Sequence, residues 1–379
     1  MLSGGGARAA YQVGALRYIA KAMPEYRPQI LTGVSAGAIN AIYLASHRGD
    51  WRSAVENLSS LWLRLETRRV YRTDYFSVMR RVMTWGLRVM TGGRLGRSDI
   101  RGMVDNAPLR AFLGAYLPLE GKRIGGIREN IADGFLESLA IITTNYGSGR
   151  SRAWIESENA EGWLIGGQLR AVHDEMTLDH IMASAALPMF FPAVKIDGAW
   201  HGDGGIRLTA PLSPALHLGA TRILAVSPRS APVTSLPEEL RHPYPSPAQI
   251  AGTLLNAVFL DLLDYDAIQM NRINRLLQKV PPEHHHPFRR VDVMVLRPRE
   301  DLGVLAHEHR IEMPSSFRFF ERGLEDQTEP SSDALSMVMF QPDYLALLLR
   351  LGEEDAQARH DEIASFLAGE SCALPPVHP

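Results

Sequence analysis

A serine between two glycines is the first place in this chain where residue types and spacing could do chemistry. Gly33-Val34-Ser35-Ala36-Gly37 lies between the apolar run Ile30-Leu31-Thr32 and a helix-like stretch carrying Ala38, Ile39, Ala41, Ile42, Leu44 and Ala45. A hydroxyl is a weak nucleophile until it is lifted onto a tight strand-to-helix turn and given a base. Small flanking residues let that turn form, and the helix start adds positive potential. Ser35 is therefore the candidate nucleophile, with Gly33 and Gly37 making room for the elbow. Small residues also cluster at ordinary turns, so the pentapeptide needs partners before it means catalysis.

Two further clusters could supply them. Ser3-Gly4-Gly5-Gly6-Ala7-Arg8 runs into a helix-like segment from Ala9. Consecutive glycines can aim several backbone N–H groups into one concavity at a helix start, where negative charge is favoured. Such a nest holds a phosphate or an oxyanion. The oxyanion is the better reading, because no Gly-Lys-Ser/Thr follows and no strand of length precedes the loop to complete a dinucleotide fold. Downstream, Trp200-His201-Gly202-Asp203-Gly204-Gly205 fences one carboxylate with three glycines. Asp197-Gly198 just before it reads as a plain hairpin tip. Glycines around Asp203 instead suit a close approach to another site, with Gly204 and Gly205 supporting the carboxylate and the apolar segment Leu187 to Pro192 shielding it.

In order and spacing, the amino-terminal glycine loop, the Gly-x-Ser-x-Gly and the Asp-Gly-Gly after Ala183-Ser184-Ala185-Ala186-Leu187-Pro188-Met189-Phe190-Phe191-Pro192 resemble the patatin-like phospholipases. The motifs carry this resemblance over residues 2–227. It extends more weakly to residue 367, through a helical tail similar to that of a bacterial subset of the family. It implies a serine–aspartate dyad without histidine: Ser35 as nucleophile, Asp203 as its base, and Gly4, Gly5, Gly6, Ala7 and Arg8 as the oxyanion loop. It also implies fatty acyl esters of glycerolipids as substrates, phospholipid or lysophospholipid foremost, with no metal and no cofactor. Ala9 stands where many relatives carry glycine, and Thr209 where asparagine is usual. Only Met1-Leu2 precede the loop, so the strand the family places there reads as truncated.

Two residues can suffice if the site is dry. Ester cleavage needs a proton taken from Ser35, a place for the negative oxygen and a proton returned to the leaving alkoxide. A solvated carboxylate near its usual pKa of about 3.9 is a poor base for a hydroxyl, so Asp203 must sit where burial raises its basicity. The rival within hydrolases is a Ser-Asp-His triad, with His217, His242, His284, His285, His286, His307 or His309 as its third member. His217 reads more simply as a helix C-terminal residue, and His284-His285-His286 between prolines as an exposed loop. As zinc ligands those three neighbours would splay, and His307-Glu308-His309 lacks an evident third partner. His201 reads either as support for Asp203 or as a packed strand residue.

The elements that must position these groups alternate. A helix over 9–22, a strand at 30–32, a helix to 47 and strands at 139–144, 153–155, 222–227 and 291–296 predict an α/β fold, a mainly parallel sheet covered on both faces. Leu178 to Ala185 reads as a helix capped by Thr177 and stopped by Pro188. Ser246-Pro247 opens a long scaffold helix. Three terminal helices are expected over 333–340, 342–351 and 353–367. The organisation read from this is a catalytic core over 1–227, with 228–379 as an extension packed on it.

Composition agrees with an enzyme. The chain has 379 residues, 45% hydrophobic and 22% charged, with a net charge of −2. That balance predicts no general affinity for nucleic acid, and no nucleic-acid-binding motif appears, so no nucleic-acid partner is expected. Cys372 is the one cysteine, which excludes an intrachain disulfide. No run of eighteen apolar residues and no signal peptide is visible, so a cytoplasmic protein is expected, with peripheral contact at a membrane face. The contact would run through 64–101, where ten arginines face three acidic residues and aromatics and methionines are interleaved. That stretch reads equally as a lipid-surface element hinged at Gly92, Gly93 and Gly96 or as a solvated helix face or core-packing lid. The expectation is a serine hydrolase of lipid acyl esters; the alternative is a catalytically weak or inactive lipid-binding relative.

Overall fold

The computed structural model describes residues 1–72, 91, 102–158, 164–165, 168–230, 253, 261–308 and 333–369. The strands that position the site are, in chain order, β1 (Ile30–Val34), β2 (Ser138–Asn145), β3 (Arg150–Ser157), β4 (Leu169–His173), β5 (Val194–Ile196), β6 (Ala199–Asp203), β7 (Arg222–Val226) and β8 (Asp292–Leu296). The helices used below are α1 (Ala10–Ala22), α2 (Ala36–Ser46), α3 (Trp51–Leu63), α4 (Thr67–Val70), α5 (Ala107–Tyr116), α6 (Leu178–Ser184), α7 (Asp261–Leu277), α8 (Asp333–Val338), α9 (Pro342–Ala358) and α10 (His360–Ala368).

β2 is the spine. Its Leu139-Ala140-Ile141-Ile142 run does not alternate with polar residues, and every position of the strand is buried, as expected of a central strand covered on both faces. β3 pairs antiparallel along the whole of one edge of β2. The other edge is shared: β1 lies parallel to its first part, with Val34 opposite Ile142, and β6 lies antiparallel to its end, with Asp203 opposite Thr143. β4 lies parallel to β3. β5 joins β6 through Asp197 and Gly198, both at positive φ (48° and 79°), the hairpin tip expected there.

The short stub Met1–Ser3 joins two parts of the sheet. The Leu2 N–H donates to the Thr32 carbonyl (2.8 Å) and the Val226 N–H to the Met1 carbonyl (3.0 Å), so the stub runs between β1 and β7. β7 in turn lies parallel to β8. The α/β architecture with flanking helices therefore stands as read, and its sheet is mixed: parallel at β1–β2, β3–β4 and β7–β8, antiparallel around β2–β3 and β6.

The terminal helices differ from expectation at one point. α9 runs unbroken through Gly352, and the break falls at Arg359. Gly352 does not stop the helix because its missing side chain serves packing instead. A Cβ there would stand 2.1 Å from the Tyr11 carbonyl oxygen of α1, and one on Gly14 would stand 1.9 Å from the Leu349 carbonyl oxygen. Around this crossing the Tyr11 hydroxyl donates to Asp355 (3.1 Å) and Arg17 pairs with Glu353. The stretch 73–101 apart from Thr91, the expected scaffold helix from Ser246 up to residue 260 apart from Thr253, and the segment 371–376 lie outside the described residues; α7 is described from Asp261. Among the described residues no helix is long and apolar enough to cross a membrane.

Candidate active site

β1 ends at Val34 and α2 starts at Ala36, leaving Ser35 alone to turn the chain. It does so at φ 56° and ψ −129°, a conformation that costs a non-glycine residue on the order of 1–3 kcal/mol and persists only where its surroundings enforce it. They do. A Cβ on Gly33 would stand 2.5 Å from the Gly37 carbonyl oxygen, and one on Gly37 would stand 2.2 Å from the Leu2 carbonyl oxygen. Both elbow glycines are thus required by close backbone approach. The Ser35 N–H donates to Ser184 Oγ (3.0 Å), whose hydroxyl donates to the Ile142 carbonyl (2.7 Å). Ser184, fully buried on α6, couples the elbow to β2. Ser184→Ala leaves that N–H without a partner, a loss of about 1–3 kcal/mol. If the elbow is the reactive turn, steady-state kinetics on this variant should show kcat falling with KM little changed.

Asp203 reaches the same place from the other direction. Because Val34 and Asp203 sit opposite adjacent residues of one edge of β2, the serine after β1 and the last residue of β6 face each other. The carboxylate is held firmly. Its backbone N–H donates to the Ala186 carbonyl (3.1 Å), its carbonyl accepts from the Thr144 hydroxyl (2.8 Å), and Oδ1 accepts from the Gly205 N–H (2.9 Å). Gly204 has no room for a side chain, since a Cβ would stand 2.3 Å from the Ile142 carbonyl oxygen. Oδ2 is buried and closes no hydrogen bond with a described residue. Burial raises the carboxyl from 3.8 to about 7, and the Ser35 side chain and the Gly205 N–H pull it part of the way back. The Ser35 side chain is thus near enough to act on the carboxyl, although Oδ2 closes no hydrogen bond with it.

The glycine loop covers this pair. A Cβ on Gly4 would stand 3.1 Å from Ser35 Cβ, and Gly5 and Gly6 take positive φ (150° and 57°). Ala7 and Arg8 continue as the short 3₁₀ turn Gly6–Ala9. The Arg8 N–H donates back to the Gly5 carbonyl (3.1 Å), and its buried side chain donates from Nε to Ser336 Oγ (2.6 Å). Of the five loop residues, Gly5 and Gly6 are the two that line a cavity, together with Ser35 and Ala36. The remaining walls are apolar: Leu61, Trp62, Leu65, Val70, Phe112, Leu187, Phe191 and Phe340 are among them.

This arrangement meets an independent comparison. The description patatin-like phospholipase belongs to the family profile that matches residues 1–216. The chain belongs to that family. No curated protein sequence matches it. Among solved structures it is similar to VipD from Legionella pneumophila, at 13% identity and a TM-score of 0.40, covering 95% of this chain and 66% of that one, so it spans less than two thirds of that protein.

The remaining residues of this patatin-like site divide clearly. Leu187 and Phe191 face the cavity, while Met189 points out, 65% exposed. His201 is buried and packed, its Nδ1 3.0 Å from the Thr143 hydroxyl and its ring against Trp154. Burial first, then Arg152, hold its pKa down to about 4, so it is neutral at physiological pH, and its ring nitrogens pair with Thr143 and Asn145 and not with Asp203. His217 hydrogen-bonds its own helix at the Ser213 carbonyl, and His285 the Leu277 and Val280 carbonyls. Neither reaches Ser35. His242 and His309 lie outside the described residues. Among those described, no three His, Cys, Asp or Glu side chains are grouped to hold a metal. Sequence reasoning missed Ser184, Thr144 and the wall at Phe340. The first two lay inside segments read for their apolar character, and the third is remote in sequence.

Proposed function

We propose that this protein cleaves fatty acyl ester bonds of phospholipids, lysophospholipids or related lipids through Ser35 and Asp203. Family membership implies a lipid acyl hydrolase; the dyad and the substrate are our reading. One observation carries it: a buried carboxylate oxygen of Asp203 that closes no hydrogen bond, next to the strained Ser35, which lines an apolar cavity. Asp203 takes the Ser35 proton as Oγ attacks the ester carbonyl. The carbonyl oxygen becomes negative against the amides of the glycine loop, of which Gly5 and Gly6 line the cavity. Collapse expels the alkoxide, which takes the proton from Asp203 and leaves an acyl group on Ser35. Water, deprotonated by the same carboxylate, then releases the fatty acid and restores both residues. Arg64, Arg68 and Arg69 flank the cavity residues Leu65 and Val70, which favours substrate arriving from an anionic membrane face.

The test is release of p-nitrophenol from medium-chain esters. Wild type is expected to turn over, and Ser35→Ala to lose on the order of 10⁴-fold or more in kcat, as nucleophile deletions do. Wild-type turnover no greater than that of Ser35→Ala would favour a second reading, a lipid-binding protein without turnover. The unclosed Ser35–Asp203 contact is the feature that speaks for it.

A further inference from the structure

The segment Ser336–Phe340 lies well beyond the residues that match the family, yet it forms one side of the cavity over Ser35. Met337, Val338 and Phe340 line that cavity with Gly5, Gly6 and Ser35. Three ties hold the segment there. Ser336 Oγ accepts from Arg8 Nε (2.6 Å), the Tyr71 hydroxyl donates to the Val338 carbonyl (2.7 Å), and the Thr67 hydroxyl donates to the Phe340 carbonyl (3.1 Å). Two of the three grip main-chain oxygens, so they fix the backbone whatever side chains it carries. The contact with the glycine loop is backbone to backbone: a Cβ on Gly6 would stand 2.0 Å from the Met337 carbonyl oxygen. The Tyr71 ring also packs on Phe190, Phe191 and Phe340 (5.4, 6.0 and 6.5 Å between centroids), joining the wall to the segment that leads into Asp203.

We propose that Met337, Val338 and Phe340 select the acyl chain, setting the length of unbranched fatty acyl group that the cavity accepts. This rests on reading the cavity as the acyl site. The physical reason is that the backbone ties leave these side chains as the adjustable surface of a wall whose position is fixed. A cavity lined by apolar side chains discriminates acyl chains one methylene at a time, by about 10- to 200-fold per group.

Full-length wild type, Met337→Ala and Phe340→Ala should be compared on p-nitrophenyl esters from butyrate to palmitate, and by thermal shift with the matching free fatty acids. Met270→Ala, a buried methionine in a separate apolar cluster, controls for general loosening. The expected result is an optimum at least two carbons longer in both wall variants, with the dodecanoate-to-butyrate ratio of kcat/KM raised about tenfold, and no such change in Met270→Ala. Turnover with an unchanged length profile in folded wall variants overturns the proposal and leaves the hydrolase reading intact. Absence of turnover in wild type, with a fatty-acid binding optimum that still lengthens in the variants, overturns the hydrolase reading and supports the wall.

Discussion

Asp203→Asn should be more stable than wild type at pH 8 while losing ester turnover. Burial raises the folded carboxyl from 3.8 to about 7, so the native state holds a proton that the unfolded chain releases at lower pH. Where the native state binds more protons, stability falls as pH rises. The wild-type penalty is absent below pH 3.8, grows between 3.8 and about 7, and is complete above 7. At about 1.4 kcal/mol per pK unit, the full penalty is on the order of 4 kcal/mol. Asparagine carries no such charge, so chemical denaturation should show the variant pulling ahead of wild type as pH increases from 4 to 8, with the two close at pH 4. A gap independent of pH would mean that Asp203 is not buried as a lone carboxyl. On the proposed mechanism the same shift sets the kinetics: Asp203 must be ionised to accept the Ser35 proton, so wild-type kcat should rise with pH and level off above about 7. Stability sacrificed for a basic carboxylate is the usual trade at a reactive site.

How much of this was legible beforehand follows from the range over which each feature is encoded. Ser35 and its glycines announce themselves because the elbow is a local device: the turn at Ser35 needs small neighbours within two residues, and the sequence must show them. Asp203 is likewise marked by the glycines packed against the Ile142 carbonyl and the Gly205 amide. The strands were readable from unbroken apolar runs such as Leu139 to Ile142. What could not be read is carried by contacts between distant segments. Nothing around Ser184 says that its hydroxyl will receive the N–H of Ser35, because a serine in an apolar helix is equally a packed surface residue. Nothing near Met337 places it against Gly6, since that meeting depends on where α8 and α9 dock. Gly352 was misread for the same reason. Local propensity treats a helical glycine as a stop, whereas here its missing Cβ lets two helices touch.

That last difference yields a test in which one substitution type has opposite signs at different sites. Gly14, Gly114 and Gly352 are all helical, and glycine to alanine in an open helix position raises stability by roughly 0.5–1 kcal/mol. Gly114 on α5 is such a position: an added Cβ would meet only the Leu178 and Leu119 methyl groups, at 3.6 and 3.7 Å. At Gly14 and Gly352 the added atom would instead meet main-chain oxygen of the opposing helix at 1.9 and 2.1 Å. No rotamer relieves a clash with backbone, so α1 and α9 must separate by an ångström or more, on ordinary contact distances of about 3.5 Å. Separation loosens the Tyr11–Asp355 hydrogen bond and the Arg17–Glu353 pair, and it moves the wall at Met337 away from the glycine loop that α1 carries. Overpacking costs typically 1–3 kcal/mol and more where backbone must shift, so Gly352→Ala and Gly14→Ala should each lose about 3 kcal/mol, a large share of a typical total of about 5–15. Urea denaturation of the three variants decides it. Gains at all three positions would mean that α9 does not cross α1 at this distance. A gain at Gly114 beside losses at Gly14 and Gly352 would make the carboxyl-terminal helices part of the body that shapes the site, since displacing them by one methyl group would be felt at the loop above Ser35.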